Sequence, residues 1–193
     1  MNGDEVDVKA MLRLKSGDDL ALHELMSRWQ KPLVAFILRY TGNEQDALDL
    51  AQETFVRIFE SRDRYTPRGK FSTWLYTIAT NLCRNQARWR ERHPTVTFHN
   101  PKIDDELGLE NTLASPGDSP ADSAERDDTA SAVRAHIQEL PHDLRAVILL
   151  FEYHDQSYDE IAATLGCTRK AVETRLYRAR NLLRESLARW KLS

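Results

Sequence analysis

One helical stretch carries side chains that suit contact with unpaired nucleic-acid bases. Five of them recur at intervals of three and four residues, so they share one face of a helix, which we call the reading face: Trp74, Thr77, Asn81, Arg84 and Arg88. An aromatic ring can stack on a base, an amide can read a base edge, and guanidinium groups can hold the phosphate backbone. A surface with a half-buried tryptophan is the plainer explanation of the same spacing.

A basic loop precedes the reading face and favours the nucleic-acid interpretation. The segment from Arg62 to Lys70 contains the helix breakers Pro67 and Gly69, and it is net basic with one aromatic residue. Its candidate DNA contacts are Tyr65, Arg68 and Lys70. Together, the loop and the helix face predict a surface for a single strand.

Near the C-terminus, the order of capping, small and apolar residues predicts a helix-turn-helix. Ser157 and Glu160 form a capping box that starts a helix at Tyr158. Gly166 stands where the turn needs a positive φ, and Thr168 can cap the next helix. The buried stripe of that second helix is formed by Val172, Leu176 and Ala179.

The opposite side of this second helix is strongly basic. Between residues 168 and 191, eight basic residues face two acidic ones. Positive charge attracts phosphates, and long polar side chains reach base edges in a major groove. The candidate contacts are Thr168, Arg169, Lys170, Glu173, Thr174, Arg175, Tyr177 and Arg178. A solvated basic face is the alternative, but the combination of helix signals favours DNA binding.

The elements that must position these residues are all predicted to be helices. Gly42 is expected to end one long helix and Asn43 to cap the next. Phe71 and Ser72 are expected as the staple and the cap of the helix that carries the reading face. The helix after Asn43 exposes a mixed polar side, which spacing alone explains as a solvated surface: Asp49, Gln52, Glu53, Val56 and Arg57.

An acidic segment divides the chain. Residues 101–128 contain nine acids against two bases, without helical patterning. Such a segment cannot bury enough apolar surface to order itself. We therefore predict an all-α protein with two helical domains joined by an acidic flexible linker. The expected division is residues 1–93, a linker over 94–130, and residues 131–193 with the helix-turn-helix.

Composition and motifs argue against several classes of protein. The 193 residues contain no apolar run long enough to span a membrane, and the N-terminus lacks the basic and apolar regions of a signal peptide. We therefore expect a cytoplasmic location without membrane insertion. The sequence has no metal-spaced Cys/His cluster, glycine-rich phosphate loop or GxSxG motif. No cofactor and no catalytic residue is expected, so the chain is not expected to be an enzyme.

Three motifs in this order resemble those of the extracytoplasmic-function sigma factors, small two-domain members of the bacterial sigma-70 family. Residues 49–55, Asp-Leu-Ala-Gln-Glu-Thr-Phe, resemble the family's polymerase-binding D-L-x-Q-E-x-F pattern. Residues 71–81 resemble its F-x-T-W-L-x-x-I-A-x-N stretch. Leu140-Pro141 with residues 157–162 and 172–180 resembles its promoter-binding domain. The resemblance omits only the N-terminal tip and the linker.

The resemblance implies that residues 1–93 are sigma region 2 and residues 131–193 are sigma region 4. It implies core RNA polymerase as a partner, contacted at the clamp of its largest subunit and at its flap region. Asp49, Gln52, Glu53 and their neighbours would dock on the clamp, which replaces the solvated-surface interpretation. An inhibitory anti-sigma partner is also expected, although the sequence does not identify one.

Promoter DNA is the second implied partner. Trp74, Asn81 and the basic loop would open the −10 element and capture a flipped base, with Arg84 and Arg88 on the strand. The −35 element would lie in the major groove against Thr174, Tyr177 and Arg178, with Arg175 on phosphate.

Two departures and two rival functions accompany this interpretation. Leu48 stands where the family commonly has an acid, and Glu173 where basic or small polar residues are frequent. Glu173 can accept a hydrogen bond from a cytosine amino group, or it can pair with a neighbouring cation.

One rival function is that of a stand-alone helix-turn-helix regulator with an N-terminal sensing domain. The other is a helical hydrolase that holds magnesium through Asp46, Asp49 and Glu53.

Overall fold

The structure, a computed structural model, describes residues 3–67, 69–93 and 120–191, with side chains from residue 129 onward in the last range. These ranges contain eight α-helices, one 3₁₀-helix and no strand, which confirms the all-α prediction. The α-helices are α1 (Gly3–Lys15), α2 (Leu20–Thr41), α3 (Glu44–Glu60), α4 (Phe71–Arg92), α5 (Pro120–Glu139), α6 (His142–Glu152), α7 (Tyr158–Leu165) and α8 (Arg169–Trp190). The 3₁₀-helix is Arg62–Arg64, between α3 and α4.

Helix boundaries follow the sequence signals at most ends. Gly42 ends α2 with φ of 68°, a left-handed conformation that suits glycine. The side chain of Asn43 then accepts a hydrogen bond of 2.9 Å from the backbone of Asp46. The expected staple and cap at the start of α4 are wrong. The helix begins at Phe71 itself, Lys70 is the N-cap without a side-chain bond, and the Phe71 ring is buried in the core.

The N-terminal domain, α1 to α4, packs around buried apolar side chains of all four helices. Leu14, Leu25, Ile58 and Leu75 are each fully buried there. Helix α1 is fixed by the buried carboxylate of Asp7, which accepts hydrogen bonds of 2.8 Å from Arg28 and 2.9 Å from Trp29. A buried carboxylate needs such partners, so this contact anchors α1 on α2.

The C-terminal domain, α5 to α8, has its own buried centre in Leu149, Ile161, Val172 and Leu176. Helix α5 begins at Pro120, inside the segment predicted to be a linker. Proline tolerates the first turn of a helix because its missing N–H has no partner there anyway. Residues 94–119, the greater part of the predicted linker, lie outside the described residues.

The two domains share one continuous core. The ring of His142 stacks on Tyr40, with centroids 5.8 Å apart and planes at 11°. The guanidinium of Arg145 donates to the carbonyls of Tyr40 at 2.6 Å, Leu140 at 3.0 Å and Gln138. One arginine therefore ties the end of α2 to the junction between α5 and α6.

None of the helices in the described ranges is both long enough and apolar enough to cross a membrane.

Candidate nucleic-acid and polymerase surfaces

The reading face lies along α4, where the structure brings all five predicted residues to one side. Trp74 is half-buried, and its ring packs against Tyr65 with centroids 5.1 Å apart. Asn81 and Arg88 are exposed, whereas Thr77 and Arg84 are half-buried. An aromatic surface, an amide and two guanidiniums thus follow one another along the helix, as single-strand contact requires.

The loop before α4 approaches the same face, but its aromatic residue points inward. Tyr65 is only 5% exposed, and its carbonyl oxygen accepts a hydrogen bond of 3.0 Å from the Lys15 ammonium. In this position the Tyr65 ring packs against Trp74 and is not exposed for contact with a base. Arg68 lies outside the described residues.

Lys70, the last residue of the loop, is engaged by two carboxylates. Its ammonium lies 2.8 Å from Glu160 on α7 and 3.7 Å from Asp4 on α1. The hydrogen bond to Glu160 is the main reason that the pKa of Lys70 is raised. Burial by itself would raise the pKa of Glu160, but bonds from Lys70 and Ser157 outweigh burial and leave that pKa lowered. Both groups therefore remain charged near neutral pH.

The C-terminal domain covers the middle of the reading face. The Thr77 hydroxyl lies 2.7 Å from the carbonyl oxygen of Thr73 in its own helix and 3.1 Å from that of Thr164 in α7. Arg84 reaches Asp143 at the start of α6, with 3.4 Å between nitrogen and oxygen. The contacts of Lys70, Thr77 and Arg84 extend from the loop along about two thirds of α4.

A cleft of about 520 Å³ remains between the basic loop, α4 and α7. Tyr65, Lys70 and Trp74 line one side, and Asp159 and Glu160 line the other. The Trp74 and Lys70 side of this cleft therefore faces two carboxylates, beside the predicted reading face.

The helix-turn-helix forms as the sequence predicts. Both hydrogen bonds of the capping box are present between Ser157 and Glu160. Gly166 has φ of 62°, and the Thr168 side chain accepts a bond of 3.2 Å from the backbone of Ala171. The turn and its caps therefore fix the position of α8 relative to α7, and with it the directions of the side chains in the first turns of α8.

On the basic side of α8, some side chains form ion pairs with the rest of the protein and others are exposed to solvent. Arg175 pairs with Asp143 at 3.3 Å, whereas Tyr177 is 69% exposed and Arg178 is also exposed. Lys170 is exposed, and the Thr174 hydroxyl donates to the Lys170 carbonyl at 2.9 Å. The residues predicted to meet base edges therefore face solvent, while the predicted phosphate contact Arg175 does not extend freely.

Glu173 has cationic neighbours on its own helix. Its carboxylate lies 3.7 Å from Arg169 and 3.8 Å from Lys170, and Arg169 also pairs with Asp159 at 2.7 Å. These distances agree with one of the two explanations given for this acid, pairing with neighbouring cations.

The polar side of α3 is open. Asp49, Gln52, Val56 and Arg57 are exposed and Glu53 is half-buried, with Arg57 donating to Glu53 at 2.7 Å. Leu48 is half-buried and packs against the core, so it belongs to the inner edge of this helix.

The magnesium site of the hydrolase alternative does not form. Asp46 is buried and pairs with Arg90 at 2.6 Å. In the part of the chain that the structure describes, no group of His, Cys, Asp or Glu side chains could hold a metal ion.

Three residues that join the C-terminal domain to α4 and its loop had no such role predicted from the sequence: Asp143, His154 and Glu160. Each lies in the C-terminal domain and meets a residue of α4 or its loop far away in the chain. Isolated acids and histidines on predicted helices carry no local signal of such contacts. Glu160 was expected only as half of a capping box.

Models of two protein families match the chain. Sigma-70 region 2 matches residues 25–93, and Sigma-70, region 4 matches residues 130–183. Together the two matches cover most of the chain and include α4 and the helix-turn-helix. Helix α1 precedes the first match.

Individual proteins of known type are similar over nearly the whole chain. The ECF RNA polymerase sigma factor SigW of Bacillus subtilis is 31% identical over 180 residues, which cover 93% of this chain and 95% of SigW. A solved structure of CnrH in complex with the cytosolic domain of CnrY is 27% identical, with a TM-score of 0.69 and coverage of 95% and 97%. The sigma factor RpoE in complex with the anti-sigma factor NepR, from Bartonella quintana, shares the fold at 24% identity, a TM-score of 0.63 and coverage of 86% and 96%.

Proposed function

Since the chain belongs to the extracytoplasmic-function class of the sigma-70 family, we propose that it directs core RNA polymerase to specific promoters and melts their −10 element. The feature that carries the proposal is the pairing of two DNA surfaces in one chain: the reading face on α4 and the basic side of α8. We place region 2 in residues 1–93, the linker in 94–130 and region 4 in 131–193. In this role the protein lends specificity to polymerase in the cytoplasm and catalyses nothing itself.

At the −10 element, Trp74 and Asn81 would hold a flipped base. The Trp74 ring, backed by Tyr65, offers a rigid surface for stacking, and the exposed Asn81 amide can read the edge of a base. Arg84, Arg88 and the basic loop would hold the phosphates. Capturing a base in this way offsets an unstacking cost of roughly a few kcal/mol.

At the −35 element, the N-terminal part of α8 would enter the major groove. Thr174, Tyr177 and Arg178 lie on its outward side and are the proposed base-edge contacts. Thr168, Arg169, Lys170 and Arg175 would contact phosphates, so their share of the affinity should fall with rising salt. Glu173 would restrain Arg169 and Lys170 instead of reading a base.

The open side of α3 would dock on the clamp of the largest polymerase subunit, with region 4 on the flap region. Its mixed charge and the exposed Val56 suit a polar protein interface with a small apolar centre. An anti-sigma factor would compete for these surfaces. RpoE, which shares the fold, was solved with such a partner.

Co-purification with bacterial core polymerase tests the proposal. Wild-type chain should form a stable complex that starts transcription at specific promoters, and Glu53→Ala should weaken the complex. Glu24→Ala is a matched control, because it also removes an acid that pairs with an arginine on the surface of the N-terminal domain. Failure of the wild-type chain to bind a cognate core, together with tight duplex binding by the chain alone, would support the stand-alone regulator instead.

A further inference from the structure

We propose that Asp7 and Lys15 of α1 are positioning residues, which hold the Trp74 ring in the orientation that stacks on a captured base. The inference rests on the proposed function of the reading face. Helix α1 ends before the residues that match sigma-70 region 2 begin. Asp7 and Lys15 act through aromatic residues that pack against Trp74, and neither is proposed to contact DNA itself.

Two buried rings flank Trp74. The centroid of Tyr65 lies 5.1 Å from that of Trp74, and the centroid of Phe71 lies 6.3 Å from it, with planes at 50° and 67° to the indole. Tyr65 and Phe71 are buried, whereas Trp74 is half-buried. A ring that is held in one orientation before a base arrives loses less conformational freedom when it stacks. The readiness of Trp74 for stacking therefore depends on what fixes its two neighbours.

Asp7 fixes Phe71 through Trp29. The buried Asp7 carboxylate accepts a hydrogen bond of 2.9 Å from the Trp29 indole nitrogen, and the Arg28 guanidinium balances its charge at 2.7 Å. An indole N–H that is removed from water needs such a partner, so this bond sets the orientation of the Trp29 ring. Trp29 packs in turn against Phe71, with centroids 6.0 Å apart. A continuous chain of contacts thus runs from Asp7 to Trp74.

Lys15 fixes Tyr65 from the other end of α1. Its ammonium donates a hydrogen bond of 3.0 Å to the Tyr65 carbonyl oxygen, directly after the 3₁₀-helix Arg62–Arg64. This bond ties the backbone of the basic loop to a helix that is anchored by the fully buried Leu14. Burial is the main reason that the pKa of Tyr65 is raised, and the charge of Asp7 raises it further. Both positioning residues therefore act on the tyrosine that packs against Trp74.

Two variants of α1 test these contacts, each alone and combined with Trp74→Ala. Lys15→Met removes the donor to Tyr65 and keeps the apolar stem, and the fold should persist because Lys15 is exposed. Asp7→Asn keeps the shape of the side chain, but its single oxygen can accept from Arg28 or from Trp29 and not from both. Lys31→Met is the matched control, because it removes another exposed lysine from the same domain.

The measurement uses holoenzyme assembled from the full chain and cognate core polymerase. The probe is a promoter fragment that wild-type holoenzyme selects from a pool with random −35 and −10 elements. Permanganate reactivity of unpaired thymines measures open complexes, and co-purification measures binding to core. Trp74→Ala should reduce opening roughly 5- to 150-fold, because it removes the stacking ring.

The α1 variants should lower opening by a smaller factor and only while the Trp74 ring is present. Lys15→Met and Asp7→Asn should each reduce it about three- to tenfold, with unchanged binding to core, and Lys31→Met should not reduce it. In the Trp74→Ala background neither should cause a further loss, because no ring remains to be positioned. A general loss of stability would instead add to the effect of Trp74→Ala.

The contrary results separate this inference from the proposed function. Normal opening in Lys15→Met and in folded Asp7→Asn, beside a loss in Trp74→Ala, would overturn the positioning roles and leave the proposed function intact. Normal opening in Trp74→Ala would overturn the proposed function of the reading face, and the inference with it. A further loss in the Trp74→Ala background would mean that α1 supports melting by another route, such as direct contact of Lys15 with DNA. If Asp7→Asn does not fold, Lys15→Met carries the test alone.

Discussion

The hydroxyl of Tyr76 and Nδ1 of His154 lie 2.7 Å apart, in a hydrogen bond that joins α4 to the loop after α6. Burial lowers the pKa of His154 to about 4, with a further contribution from the positive charge of Arg39. Burial also raises the pKa of Tyr76, so its hydroxyl keeps its proton. The neutral imidazole is therefore the form that fits between the domains.

Acid should destabilise this contact. An unfolded histidine binds a proton at a pKa of about 6.5, so between that pH and about 4 the unfolded chain binds more protons than the folded one. The free energy of unfolding should fall as the pH falls through this window, with a contribution from His154 of at most about 1.4 kcal/mol per pH unit. Urea unfolding at several pH values should show a shallower dependence for His154→Gln than for wild type. The exposed His23→Gln is the control, and equal slopes in wild type and His154→Gln would contradict the prediction.

Asn81→Ala should separate DNA melting from polymerase binding. The side chain is exposed on the reading face, and a good base contact contributes about 1–3 kcal/mol of discrimination. Holoenzyme with this variant should assemble normally but form open complexes roughly 5- to 150-fold less well, as permanganate footprinting of unpaired thymines would measure. Equal loss of polymerase binding and melting would make Asn81 a structural residue.

Glu173→Gln should strengthen binding to duplex DNA of any sequence. The change releases Arg169 and Lys170 from a nearby carboxylate, so holoenzyme affinity should rise and its salt dependence should become steeper. Glu185→Gln, on the same helix, removes an equal charge without releasing this pair. Titrations of −35 duplexes with varied bases at several salt concentrations measure the effect. Loss of preference at one cytosine would instead make Glu173 a base-reading residue.

Gly42→Ala and Gly166→Ala should destabilise the protein by similar amounts. Both glycines have left-handed φ values, 68° and 62°, which cost a residue with a Cβ about 1–2 kcal/mol. A Cβ at Gly42 would also lie 2.5 Å from the end of the Gln138 side chain, but that side chain is flexible and can move aside. Chemical unfolding should therefore show nearly equal losses. A much larger loss at Gly42, recovered by Gln138→Ala, would mean that Gln138 cannot move.

The parts predicted correctly from the sequence are those with a local cause. A capping box, a glycine with positive φ and a stripe of Val172, Leu176 and Ala179 each act within one or two helical turns, and all are present. The start of α4 was mistaken by two residues, because the N-cap is Lys70 and not Ser72, and Phe71 is buried in the core as the first residue of the helix. Tyr65 was predicted as a DNA contact because it is the single aromatic residue of a basic loop. Nothing in that local sequence indicated that its side chain would be buried.

The arrangement of the domains had no such local signal. Thr77 meets Thr164, and Lys70 meets Glu160, only because α7 packs across α4. Contacts of this kind depend on the shapes of two complete domains, and the residues concerned are ordinary for exposed helices. The sequence therefore predicted two candidate DNA surfaces but gave no sign that α7 packs across one of them.

Asp143 pairs with one arginine from each of the two proposed DNA surfaces, Arg84 on α4 and Arg175 on α8. A phosphate that draws Arg175 away at the −35 element would leave Asp143 with a single cationic partner, so its attraction for Arg84 would increase. Engagement of the −35 element would therefore raise the free energy needed to release Arg84 from Asp143, and the reverse would hold by the same amount. One carboxylate thus couples two separated surfaces of a single chain, with the sign of negative cooperativity.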